Sequence, residues 1–174
     1  MGFVHDLETA YTAHASAKNA VTMEKYMKNH FTFYGLKTEL RRKLHKAAFE
    51  QNNKEVKANA RHIALQLYAH NEREYHYSGI EILIKELKNN FTREDIGLIE
   101  HLIINNSWWD TVDTIAKYLL GGYLAQFPEE RQTVIEKFSA SDNLWLNRSA
   151  LLFQLGYKKE TNEKLLFSEC KSES

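Results

Sequence analysis

The run NNSWWDTVDTIAKYL, residues 105–119, sets two tryptophans beside two aspartates. On a helix turning about 100° per residue, Trp108, Val112, Ile115 and Leu119 share one narrow arc, the natural core stripe. Trp109 and Asp113 stand four residues apart on another arc, together with Ala116 and Leu120, so an indole face and a carboxylate project side by side. That pair can do chemistry if its face is concave and open. Otherwise Trp109 is a second packing surface, and Asp113 is a solvated acid or the partner of Lys117. The second chemical oddity is Arg148, in DNLWLNRSALLFQL, which falls among Leu144, Leu151 and Leu155 on the helical wheel. A guanidinium on an apolar stripe needs a partner or a route to solvent. It is either half of a structural ion pair or an anion clamp, since arginine grips phosphate through two parallel donors.

Other chemistries have little support. The histidines at 5, 14, 30, 45, 62, 70, 76 and 101 show no ligand spacing paired with acids. Cys170 is the one cysteine, which gives neither an internal disulfide nor a metal cluster and fits a reducing, intracellular compartment. Phosphate-binding glycine loops are absent. No cofactor and no metal are expected.

Several helices are needed to position these residues. Seven glycines and one proline are too few for a strand-rich fold, so the chain is expected to be all-α. Phe3, Leu7, Ala10 and Tyr11 mark a first helix over residues 3–14. A second is expected at 22–30 with Thr22 as its cap, followed by a turn at Gly35. Thr38 is expected to cap a third, with Arg41 and Arg42 in its first turn. Val56, Ala60, Ile63, Ala64 and Leu67 form the stripe of a fourth, and residues 72–88 continue with Tyr75, Ile80, Ile82, Leu83, Ile84 and Leu87. Thr92 and Asp95 resemble a capping box with Asp in place of Glu, ahead of Ile96, Ile99, Leu102 and Ile103. The tryptophan pair lies on a helix over 107–125. Pro128 opens the next, and Ser141 and Asp142 cap one over 143–155 that Gly156 ends. Trp145 is expected in its core. A last helix is expected at 160–169. This rhythm of roughly ten helices of about 10–18 residues predicts an α-solenoid or an irregular bundle in one domain spanning 1–174.

The chain has the length for a real core, and no apolar run approaches a membrane span. The first residues, MGFVHDLETAY, lack the features of a signal peptide. Net charge is zero, yet residues 21–62 hold ten Lys or Arg against four Glu. That excess is either a solvated helix face or a local positive surface able to meet an anionic partner.

Four stretches, taken together, are similar to one family. They are KYMKNHFTFYGLKTELRRKL (25–44), SWWDTVDTI (107–115), SASDNLWLNRSALLFQL (139–155) and KLLF (164–167). Their order and spacing resemble the AlkD-like DNA alkylation repair glycosylases, built from HEAT-like helix pairs, from about residue 3 to about residue 168. The resemblance implies an alpha-alpha superhelix that holds duplex DNA on a basic concave face and removes cationic N3- or N7-alkylated purines. It also implies that Trp109 and Asp113 line the reaction site and that Tyr26 and Arg148 face the DNA. In that frame Asp113 stabilises an oxocarbenium-like sugar and orients or deprotonates water, and Trp109 offers its π face to the same cation. Arg148 holds a phosphate beside the lesion. Lys25, Lys28, Lys37, Arg41 and Arg42 contact the backbone and position DNA without reading sequence. A cytoplasmic monomer acting on the nucleoid is expected, with no membrane partner.

Relative to that family the match ends early, after LLFSE. The absent helices would supply another aromatic wall and cap the solenoid. The alternative expectation is therefore a non-catalytic DNA-binding or scaffold solenoid.

Overall fold

The computed structural model describes residues 2–156, and the helix expected at 160–169, the KLLF run and Cys170 lie outside them. The fold is all-α, and the elements group into two compact units that divide between Glu86 and Leu87. Within each unit successive helices pack on one another as in a helical solenoid. Among the described residues the extended pairing is a single bridge, Thr32 to Glu72.

In the first unit, α1 (Phe3–Ala13) packs on α3 (Thr38–Gln51) and α4 (Asn53–Tyr68). Phe3, Leu7 and Tyr11 of α1 meet Val56, Ala60, Ile63 and Leu67 of α4, and Tyr75 and Ile82 of α5 (Arg73–Leu87), in one buried cluster. These are the positions that helical periodicity selects.

The second helix starts earlier than expected. It is α2, Ala17–Tyr26, and its cap is Ser16, whose Oγ accepts the Asn19 N–H at 3.3 Å. Thr22 lies inside the helix, where its hydroxyl bonds back to the Lys18 carbonyl. Ser16 takes the cap because its backbone is extended, leaving its side chain free to reach the first turn. The next cap also shifts: Lys37, with extended backbone, precedes Thr38, which is already helical.

The segment between α2 and α3 carries Gly35 at φ +90°, with a Cβ there falling 2.1 Å from the Ser16 carbonyl oxygen. Only glycine fits this left-handed, closely approached position. Buried Glu74 organises the same segment by accepting the N–H groups of Tyr34, Gly35 and Leu36 at 3.0–3.2 Å. Burial pushes its carboxyl above the usual range, while the three amides oppose that shift.

In the second unit, Asp95 opens α6 (Asp95–Ile104) and accepts the Thr92 N–H at 2.7 Å, the acidic half of the expected capping box. Ile99, Leu102 and Ile103 are buried below it. Gln126 then clasps Phe91, accepting its N–H at 2.9 Å and donating to its carbonyl at 2.6 Å.

The helix bearing the tryptophans changes pitch. α7 (Trp109–Thr114) passes into a π-helical segment, Ile115–Leu120, and then α8 (Gly121–Gln126). A Cβ on Gly121 would lie 2.5 Å from the Phe153 carbonyl oxygen, so this turn sits hard against the backbone that directly follows α10. Pro128 begins a 3-10 turn that leads into α9 (Arg131–Ser139). Asn143, rather than Ser141 or Asp142, caps α10 (Leu144–Leu152), its side chain accepting the N–H groups of Trp145 and Leu146. A 3-10 turn, Phe153–Gly156, follows.

Candidate functional site

Trp109 is the first residue of α7 and is 43% exposed. Asp113 follows one turn later, half-buried, so both sit ahead of the π segment on a regular stretch of helix where i, i+4 neighbours align. Ala116 and Leu120, expected on the same arc, are fully buried. The wider turn of a π-helix shifts the phase of an ideal α-helical wheel beyond Ile115. The arc therefore runs from an open end at Trp109 into the core.

Trp108 is not on the core stripe. It is the N-cap residue, with extended backbone at φ −158° and ψ 164°, so the wheel does not apply to it. Its ring packs against Trp145 of α10 with centroids 5.8 Å apart. Trp145, also expected in the core, is half-buried. Val112 and Ile115 are wholly buried as the wheel requires, and Leu119, inside the π segment, is buried too.

Arg148 reaches from α10 to Asp113. Its Nε donates to Oδ1 at 2.6 Å and its terminal nitrogen to Oδ2 at 2.8 Å. The side chains are 42% and 32% exposed, so the pair sits at an open surface. The bonds to Asp113 raise the Arg148 pKa further above its ordinary value, against partial desolvation. Of the sequence alternatives, Arg148 adopts the ion pair and Asp113 takes Arg148 rather than Lys117, whose ammonium lies 4.9 Å from the Tyr118 ring centroid. Leu144, one turn before it, is 67% exposed, so Arg148 has an open neighbour on its helix and a route to solvent.

The other expected contacts belong to the first unit. Tyr26 ends α2 with 71% of its surface exposed. The turn after it holds Lys28 and Asn29 in left-handed backbone at φ 53° and 59° and is pinned by buried Met27. The Phe33 N–H donates to Glu24 at 3.1 Å and ties the turn to its helix. Lys25, Lys28, Lys37 and Arg42 are all exposed.

Arg41 is different and corrects the sequence reading. It is 3% exposed, and its guanidinium grips both oxygens of Glu81 at 3.1 and 2.6 Å. Burial alone would lower the Arg41 pKa and raise that of Glu81; their mutual bonds and charges reverse both directions. Seven residues before Ala48, Arg41 falls on the buried stripe of α3, a signal that the wheel did contain. Glu81, which holds Arg41, had no motif that distinguished it, whereas Trp145 stands inside SASDNLWLNRSALLFQL but was expected only in the core. Among the described residues no cluster of His, Cys, Asp and Glu could hold a metal ion, and no helix is long and apolar enough to cross a membrane.

Comparison with known proteins bears on this arrangement. Residues 7–174 match the family model for DNA alkylation repair enzymes. The chain belongs to the DNA alkylation repair enzyme family. A solved structure described as a predicted DNA alkylation repair enzyme from Enterococcus faecalis is similar to it, with a TM-score of 0.78 and 28% sequence identity. The alignment covers 89% of this chain and 72% of that one. No curated relative matches. Membership supports a role in DNA alkylation repair, with DNA as the substrate. Within that family assignment, Asp113 and Arg148 are paired with Trp109 one turn before Asp113 on α7, while Tyr26 and the exposed basic side chains belong to the other unit.

Proposed function

We propose that this chain is an AlkD-like alkylpurine DNA glycosylase that hydrolyses the N-glycosidic bond of N3- or N7-alkylated purines in duplex DNA. The observation that carries the reading is the solvent-accessible Asp113 carboxylate, oriented through both oxygens by Arg148 and flanked by exposed Trp109. Alkylation gives the purine a positive charge, so its departure needs no further activation of the leaving group. As the C1′–N bond breaks, its electron pair neutralises the purine ring and positive charge moves to the sugar. Asp113 stabilises that charge and accepts the proton of the water that forms the new C1′–O bond. Trp109 presents its π face to the same cation.

Arg148 holds a DNA phosphate next to the lesion, and Lys25, Lys28, Lys37, Arg42 and Tyr26 bind the backbone. In the resting site Arg148 already holds an anion, the Asp113 carboxylate. A phosphate therefore competes for the guanidinium and leaves Asp113 free to face the sugar. The same observation favours a second reading: both Asp113 oxygens are occupied, as they would be in a family member that binds DNA without turnover.

One experiment separates the two. Alkylated duplex DNA is incubated with the protein and the released bases are quantified. Release of 7-methylguanine or 3-methyladenine supports the glycosylase. Salt-dependent duplex binding with no release supports the binding protein.

A further inference from the structure

Two side-chain pairs are among the contacts that join α7 and its N-cap residue to α10. Asp113 and Arg148 form the ion pair, and Trp108 and Trp145 form a ring contact at 5.8 Å with planes inclined by 54°. The order along each element matters. Trp145 precedes Arg148 by three residues on α10, so both project from one face one turn apart. Trp108 sits at the start of α7, five residues before Asp113. An ion pair at an exposed surface cannot by itself fix two side chains, because solvent screens it and ordering costs entropy. The inclined ring contact supplies a broad, rigid anchor with few torsions. Its place in the chain is fixed as well: Asn143 accepts the backbone N–H of Trp145 at 2.9 Å, and Trp108 is held in extended backbone as the N-cap of α7.

We propose that Trp108 and Trp145 are positioning residues, whose ring contact sets the register of α7 against α10 and thereby aims Arg148 at Asp113. Each tryptophan acts through the helix that carries the charged residue. The inference rests on the glycosylase reading for its kinetic consequence, but not for its structural one.

The test is built so that the two can fail separately. In the whole protein the Nε–H proton of Arg148, donated to Asp113, gives a resolved, slowly exchanging NMR resonance. Trp145→Leu removes the ring, broadens that resonance into the solvent-exchanging arginine envelope and slows single-turnover base release about 10–100-fold, the scale of a misplacement near one ångström. Duplex affinity falls by no more than it does in Arg148→Ala, because the other backbone contacts are untouched. Trp145→Phe keeps an aromatic partner and restores both the resonance and the rate. Trp108→Leu breaks the same contact from the other side and reproduces the effect, which keeps the test decisive if Trp145→Leu does not fold. An unchanged Arg148 resonance in a folded leucine variant overturns the proposal, as does a phenylalanine variant that behaves like leucine. If the wild-type protein releases no base, the glycosylase reading fails, and the resonance alone still decides the positioning role.

Discussion

Arg148 holds both carboxylate oxygens of Asp113, at 2.6 and 2.8 Å, across two helices that lie 35 residues apart in the chain. Two residues that sequence reasoning chose separately, one as a charge stabiliser and one as a phosphate clamp, are each other's partners. Their pairing orients the carboxylate, and it also gives DNA something to displace. Because the pair is partly exposed, it contributes only about 0–1 kcal/mol to stability. Its importance lies in aiming the groups.

Arg148→Ala should therefore act on binding more than on folding. Loss of one phosphate contact lowers the slope of log affinity against log salt by about one. Measuring duplex affinity across a salt series checks this. An unchanged slope means that Arg148 reaches no phosphate.

The two neighbouring arginines of α3 should behave oppositely. Arg42→Ala, at an exposed side chain, weakens duplex binding and leaves thermal stability nearly unchanged. Arg41→Ala removes both short bonds to half-buried Glu81, leaves it only the 3.3 Å contact with Arg42, and destabilises the protein by about 1–3 kcal/mol. Thermal denaturation of both variants, beside their DNA affinities, distinguishes a surface contact from a buried brace.

His45 carries a pH prediction. Burial lowers its pKa from 6.5 to about 4, and its Nδ1 is buried without a hydrogen-bond partner. Between those values the unfolded chain binds the proton and the folded one does not. Stability therefore falls as pH drops from about 6.5 to about 4, by at most about 3 kcal/mol from this residue. Denaturant titrations across that window should lose part of their pH slope in His45→Phe. An identical slope in the variant assigns the dependence to other groups.

Gly35→Ala tests the segment between α2 and α3. A Cβ there meets the Ser16 carbonyl at 2.1 Å in left-handed backbone. The expected cost exceeds about 1 kcal/mol, since both strain and collision oppose the side chain. Exchange of the Tyr34 and Leu36 amides, now protected by Glu74, should accelerate as well.

Much of this was legible from residue order. Apolar spacing located the buried faces of α1, α4 and α6, because a 3.6-residue period leaves few ways to bury Phe3, Leu7 and Tyr11 together. Trp109 and Asp113 were legible as neighbours because they occupy a regular helical turn. Trp108 was not, since a cap residue lies outside the helix whose wheel was used. Ala116 and Leu120 were counted onto the same arc as Trp109, yet both are buried inside the π-helical segment, and which end of an arc opens to solvent is set by tertiary packing that no local propensity encodes. The burial of Arg41 and the meeting of Asp113 with Arg148 are likewise tertiary. Charge counts mark residues as cationic, but only packing decides which cation is spent on an internal carboxylate.

The most direct test of the central claim is single-turnover release of 7-methylguanine from duplex DNA by the wild-type protein and by Asp113→Asn. The substitution keeps size and some hydrogen bonding while removing the negative charge. The wild type should release base measurably and the variant should lose at least about 100-fold, with duplex binding retained. Equal release by the two proteins, or none by the wild type, would contradict it.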